Sequence, residues 1–217
     1  MGLLMMAAII ANGDLPDSEH LTSILDRTQL CICADGGANG AHRLGIIPDY
    51  VIGDLDSIDD EALQYYRYHS PSTRIIHQSD QSTTDLEKCL VFLQQYPVET
   101  CYLLGVTGDR SDHFLYALHL LHLFSRRMNL IMISRHQQIF LVRDQVEFDS
   151  VSDTVSFFGF PEAGGVTTEG FHYAIKDCRI GMNTIQSISN RIERVPARLT
   201  IRSGCLLVIV SRNEDNR

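Results

Sequence analysis

No apolar stretch in these 217 residues approaches the roughly 18 to 20 residues that cross a bilayer as a helix, which argues against a membrane-spanning protein. The longest, residues 3–11, has no basic segment ahead of it and no small-residue cleavage site before Asn12-Gly13-Asp14. It reads as a strand and not as a secretory signal. Met6 stands where N-myristoylation at Gly2 would want Ser or Thr. Positive charge is scarce as well: 18 Lys and Arg against 27 Asp and Glu give a net charge of −9. That balance disfavours sequence-independent nucleic-acid binding, which needs a basic surface to displace phosphate counterions. Six cysteines are scattered over the chain, and only Cys31 and Cys33 are close, on one face of an expected strand. With no second Cys pair and no nearby His cluster, a zinc site has too few ligands, and reduced thiols of a cytoplasmic protein are the reading. There is no G-x-x-x-x-G-K-[ST] segment, no G-x-S-x-G elbow, no internal repeat and no low-complexity tract. A P-loop enzyme is thereby set aside, and so is a nucleophile role for Ser111.

What is present is an ordinary globular composition, 44% hydrophobic, on a chain long enough for one large domain or two small ones. Apolar strand-like runs at residues 4–11, 29–34, 50–52, 74–77, 100–106 and 129–134 alternate with helical spacing at 18–27, 38–44, 59–68, 84–95 and 112–125. Such alternation predicts right-handed crossovers and a mostly parallel sheet with helices on both faces, a Rossmann-like α/β domain over residues 1–144. Gly45, with Pro48 beyond it, marks a helix end. Thr84 and Glu87 have capping-box spacing, so a helix should begin at Asp85 and bury Leu86, Cys89, Leu90 and Leu93. From residue 145 to 217 the chain turns to short Val-, Thr- and Ser-rich runs at 154–160, 173–176, 197–201 and 205–210. Turn signals at 161–165, 169–170 and 203–204 separate them, which predicts a small all-β sandwich. The polar tail 212–217 is expected to fray.

Ligands of an open parallel sheet bind beyond the carboxyl ends of its strands, and four such ends carry distinctive residues. Asp35-Gly36-Gly37-Ala38-Asn39 is either a tight turn needing positive φ or a backbone cradle for phosphate. Gly53-Asp54-Leu55-Asp56-Ser57 places two carboxylates in alternation, hence on one side if the segment is extended. Two like charges about 4 Å apart cost on the order of 4 kcal/mol at an effective dielectric near 20. A divalent cation reverses that sign, and an oxygen-only donor set suits Mg²⁺ or Mn²⁺; a solvated acidic turn is the alternative. Gln81-Ser82-Thr83-Thr84-Asp85 leads into the capped helix, where Asp85 either serves the helix dipole or supplies a third oxygen. In Gly105 to His113, two glycines precede Arg110, which could grip phosphate; Asp112 could orient it, hold an acceptor or act as a base. Ser111 reads as a helix N-cap. Four such signals on one sheet edge favour metal-assisted transfer from a nucleotide polyphosphate, chemistry that rests on positioning and charge stabilisation.

In this order and spacing, these motifs resemble the bacterial thiamine pyrophosphokinase family, together with Thr168-x-Gly170-x-x-Tyr173 and Ser187-Ile188-Ser189-Asn190 near the C-terminus. The resemblance spans nearly the whole chain. It implies an α/β catalytic domain, a β-sandwich domain, a homodimer, and transfer of a diphosphate from ATP to the hydroxyethyl oxygen of thiamine, leaving AMP. Residue by residue, it implies that Asp54, Asp56 and Asp85 hold Mg²⁺ and the diphosphate. Arg110 and Gln81 would contact phosphate oxygens, and Asp112 would organise the acceptor end. The nucleotide side would further involve Asp35, Gly36, Gly37, Asn39 and Thr84. Ser187, Ser189 and Asn190 would line a thiamine pocket at the dimer interface. The chain departs from the family pattern at Ser82, where Asp is usual, and at Asp109, where Gly is frequent. A related diphosphokinase for another small alcohol, such as a pterin, and a non-catalytic binding module are the competing readings.

Overall fold

The computed structural model describes residues 4–151 and 153–212, so Gly2 and residues 213–217 of the expected tail lie outside it. The chain divides between Arg135 and His136 into two compact units. The first contains β1 (Met5–Ile10), α1 (Ser18–Leu25), β2 (Leu30–Ala34), α2 (Gly37–Arg43), β3 (Tyr50–Gly53), α3 (Asp60–Tyr68), β4 (Arg74–His77), α4 (Asp85–Leu93), β5 (Val98–Leu104), α5 (Ser111–Phe124) and β6 (Asn129–Ile133). These six strands are ordered β4-β3-β2-β1-β5-β6 and every neighbouring pair is parallel, as the alternation of patterns predicted. Strand order reverses at β1 and β5, the place where a crevice opens in such sheets.

Both faces are covered. Ala8, Ile10, Cys33 and Val51 pack against Leu21 and Ile24 of α1, Ala38 and Ala41 of α2, and Ala62 and Tyr66 of α3. Helix α4 covers the opposite face at β2 and β3 with buried Cys89, Leu90 and Leu93. Tyr66 of α3, wholly buried, donates its hydroxyl to the Ile46 carbonyl and so serves packing. Gly45 adopts φ 68° just beyond α2, the left-handed cap expected of it. The N-terminus of α5 differs from expectation. Ser111 is its first residue, and the capping position falls on Arg110, which makes no side-chain cap bond.

The second unit contains β7 (Gln137–Val142), β8 (Gln145–Phe148), β9 (Thr154–Glu169), β10 (Cys178–Gly181), β11 (Ser187–Arg191), β12 (Ala197–Thr200) and β13 (Ser203–Ser211). Its pairings are antiparallel: β13 joins β7 to β9, β12 joins β9 to β8, and β10 and β11 also pair with β9. Phe157, Val166, Phe171, Leu199, Leu206 and Val208 are among the residues of its core. Two local expectations are overturned. The expected turn at 161–165 lies inside β9, because the 16-residue strand passes it through register shifts and a positive φ at Gly165. The expected strand at 173–176 is a loop: Tyr173 spends its backbone on Asn190, and Ile175 bonds Thr168 instead of extending a ladder.

Candidate functional site

The strand ends of the first unit enclose a cavity of about 470 Å³, within the roughly 300–1,000 Å³ of small-molecule sites. The loops after β1 and β5 form one wall and are bonded to each other. Gly13 N–H donates to the Gly105 carbonyl at 2.7 Å, and Asp14 N–H to the Thr107 carbonyl at 2.7 Å. A Cβ at Gly13 would lie 2.2 Å from the Thr107 carbonyl oxygen, so only glycine permits this approach. Gly36, Ser57, Thr84, Asp85, Arg110 and Tyr116 add to the lining. Among the described residues no helix is long and apolar enough to cross a membrane.

Three carboxylates converge at the end of β2 and β3. Asp35, Asp54 and Asp56 each offer an oxygen, and the three oxygens lie within 4.8 Å of one another. The route to this differs from the alternation argued above. Leu55 takes φ 63°, so a tight turn and not an extended strand brings Asp54 and Asp56 together. The turn is tied down by hydrogen bonds: the Ser57 hydroxyl donates to Asp56 Oδ1 at 2.8 Å, and the Ser57 N–H donates to Asp35 Oδ2 at 3.1 Å. Asn39 braces it from α2, donating to the Ser57 carbonyl and accepting from the Asp59 N–H. Both ends of the Asn39 amide are thus engaged within the protein.

Asp35 is buried, and its Oδ1 has no hydrogen-bond partner. Burial pushes its carboxyl up to about 6; the Ser57 N–H opposes this, and the charges of Asp85, Asp54 and Asp56 add to it. A buried, partnerless carboxylate oxygen beside two more carboxylates fits a hard divalent cation bound through oxygen. Asp35 also has φ 39°, so the positive φ of this turn falls on the aspartate and not on the glycines behind it. Those glycines answer to close approach instead. A Cβ at Gly36 would meet the Asn12 side chain at 2.5 Å, and one at Gly37 the Ile10 carbonyl at 2.1 Å.

Asp85 stands beside this triad but outside it. Its Oδ1 accepts from Lys88 Nζ at 2.8 Å, and the Lys88 side chain is only 4% exposed. Burial acts to lower the Lys88 pKa, but the Asp85 bond and the charges of Asp85, Asp54 and Asp80 outweigh it and leave the pKa raised. Lys88 lies off the apolar stripe of Leu86, Cys89, Leu90 and Leu93, where a lysine reads as solvent-facing; its signal was the one-turn spacing from Asp85. Thr84 caps α4 by accepting from the Glu87 N–H, but the Glu87 carboxylate takes the Tyr116 hydroxyl at 2.6 Å, so the cap is not reciprocal. Gln81 is exposed in the preceding loop, outside the cavity wall. At the departure Ser82, Asp80 supplies a carboxylate two residues earlier and binds the Ser82 hydroxyl at 2.8 Å.

Arg110 lines the cavity, and Asp112 holds its guanidinium by two bonds of 2.9 and 2.7 Å. That fork keeps the Asp112 carboxyl far below the usual carboxylate range, which makes it a poor proton acceptor and favours the orienting role. In the second unit, Ser187 is half-buried on β11, and Ser189 is exposed with φ 54°. Asn190 is fully buried, its amide bonded at both ends to the Tyr173 backbone.

Two family models match this chain, the catalytic domain of thiamin pyrophosphokinase over residues 21–133 and its vitamin B1 binding domain over residues 141–206. The chain belongs to the thiamin pyrophosphokinase family. It is 28% identical over 208 residues to the thiamine pyrophosphokinase of Bacillus subtilis, covering 94% of this chain and 97% of that one. It is also 28% identical to thiamine pyrophosphokinase 1 of Oryza sativa subsp. japonica, covering 95% and 88%. The crystal structure of the Bacillus subtilis protein superposes with a TM-score of 0.86 at 26% identity, covering 96% of this chain and 99% of that one. Each matched model falls within one of the two compact units.

Proposed function

We infer that this chain is a thiamine diphosphokinase: it transfers the terminal diphosphate of ATP to the hydroxyethyl oxygen of thiamine and releases AMP. The single observation that carries the reading is the meeting of Asp35, Asp54 and Asp56, in a chain of this family, with Asp35 and Asp56 next in sequence to Ala34, Gly36 and Ser57, which line a nucleotide-sized cavity. The cation is Mg²⁺, held by Asp54 and Asp56 with Asp35 as the third oxygen donor and Asp85 next to them. When bound, it neutralises charge on the diphosphate oxygens. In the transfer, the thiamine oxygen bonds to the β-phosphorus while the bond from that phosphorus to the α–β bridging oxygen breaks, and AMP departs with that oxygen. Arg110, held by Asp112, binds phosphate oxygens where negative charge collects. Gln81 is a further phosphate contact for a bound nucleotide, Thr84 keeps Asp85 in place by capping α4, and Gly36 lets the chain approach the nucleotide closely. The hydroxyl proton passes to solvent or to the product phosphate, because a primary alcohol attacking a loose phosphoryl centre needs little prior deprotonation.

The acceptor thiamine is held in the second unit by Ser187 and Ser189, with Asn190 shaping that surface through Tyr173. The enzyme works as a homodimer with this site at its interface. Exposed Met182, Ile185, Ile188 and Tyr173, between 63% and 80% accessible, support an apolar contact with a second copy. The reducing cytoplasm suits its six free thiols. An assay coupled to AMP release, run with thiamine and Mg-ATP with and without chelator, tests the reading. AMP that depends on thiamine and on metal is the expected result. Stoichiometric ADP would reject diphosphate transfer, and pterin alcohols replacing thiamine as the better acceptor would move the chain to the neighbouring activity.

A further inference from the structure

Among the described residues the buried charged side chains are Asp35, Lys88 and Asp153, and Lys88 is the cation of that set. A lysine this deep is costly unless its charge is paired. Its Nζ meets Asp85 Oδ1 at 2.8 Å, while Asp85 keeps 29% of its side chain exposed in the cavity wall. Asp85 is close enough to reach the triad's surroundings: a Cβ at Gly53 would lie 3.1 Å from Asp85 Oδ1 and 2.6 Å from the Asp35 Cβ. Four carboxylates therefore share this corner, yet only three converge to the spacing of a cation site. The fourth is the one with the lysine on it.

We propose that Lys88 is a positioning residue that holds Asp85 apart from the Asp35–Asp54–Asp56 cradle, so that the free enzyme does not close four carboxylates around one cation. The inference rests on reading the triad as the Mg²⁺ cradle. Two effects of losing Lys88 then act in the same direction. Removing a unit positive charge increases the attraction of the cradle for a cation, and releasing Asp85 adds a donor. The cation becomes tighter bound but worse placed, because a fourth carboxylate then competes with the nucleotide's phosphate oxygens for it.

The test uses full-length enzyme stripped of metal. Mn²⁺ is titrated by electron paramagnetic resonance into the natural protein and into Lys88→Met, Lys88→Arg and Lys88→Met/Asp85→Asn. Mg-ATP and thiamine kinetics are measured alongside. Lys88→Met should bind Mn²⁺ about tenfold tighter while kcat falls about 10- to 100-fold. Lys88→Arg should restore both values, and adding Asp85→Asn should remove the tightening. A Lys88→Met enzyme with natural Mn²⁺ affinity, whether kcat is kept or lost along with melting temperature, overturns the positioning role and leaves the cradle standing. Absence of Mn²⁺ binding by the natural protein overturns the cradle, and the role of Lys88 falls with it. If Lys88→Met fails to fold, Lys88→Leu, which likewise removes both the charge and the donor beside Asp85, carries the same expectations.

Discussion

At the scale of single residues, the carboxylates divide by environment. Asp35 is the one whose charge the fold resists, and its sign is opposite to that of a salt-bridged aspartate. With its folded pKa raised to about 6 from 3.8, the native state binds the extra proton between those values. Stability of metal-free protein therefore falls as pH rises through that window and stays reduced above it. Asp35→Asn should raise the melting temperature of chelated protein at pH 7, by up to about 3 kcal/mol of stability, and change it little near pH 4. The check is calorimetry across pH in chelator; an equal effect at both pH values would mean that Asp35 is not paying a charge penalty. Asp54→Asn keeps shape but removes a donor, and should lower kcat by more than about 100-fold without altering the melting temperature much. Of these residues, Asp54, Asp56 and Asp85 stood out in the sequence as motif carboxylates. The partnerless oxygen of Asp35 and the hold of Lys88 on Asp85 did not, because each depends on what lies across the sheet end.

At the scale of elements, the caps and close approaches make the site. Helix α4 begins at Asp85 as the Thr84–Glu87 spacing predicted, since a cap is a local hydrogen bond written within four residues. Thr84→Ala should cost about 1 kcal/mol, read as a lower denaturation midpoint with unchanged slope. Gly13 sits where the loops after β1 and β5 cross, and a methyl there meets backbone that cannot swing away. Gly13→Ala should cost about 1 to 3 kcal/mol and raise the KM for Mg-ATP more than that for thiamine. Equal KM values in the variant and natural enzymes would separate this crossing from the nucleotide site. Elements whose partners are distant were harder to read. The stretch 161–165 has every local mark of a turn, yet the pairing of β9 with β10 and β13 carries strand through it. Residues 173–176 look like a strand but are claimed by the Asn190 amide and by Thr168.

At the scale of the whole molecule, a net charge of −9 surrounds the cavity, so under the proposed function a bound cation and Arg110 would have to reverse the field for a polyanionic nucleotide. Activity should therefore be lost fully in chelator and return on adding Mg²⁺. Light scattering should give twice the chain mass, and Met182→Ser/Ile185→Ser/Ile188→Ser should shift it toward the monomer with loss of thiamine turnover; a monomer that turns over normally would break the link between dimer and acceptor site. The amino-acid order alone determined the alternating α/β unit, the β-rich second half, the start of α4 and the family, because periodicity, caps and motif spacing are local. Only the tertiary structure decided which three carboxylates meet, that Leu55 turns the chain to bring two of them together, and that a buried lysine holds the fourth. Distances across a sheet edge arise from long-range packing, and no local pattern in the chain encodes them.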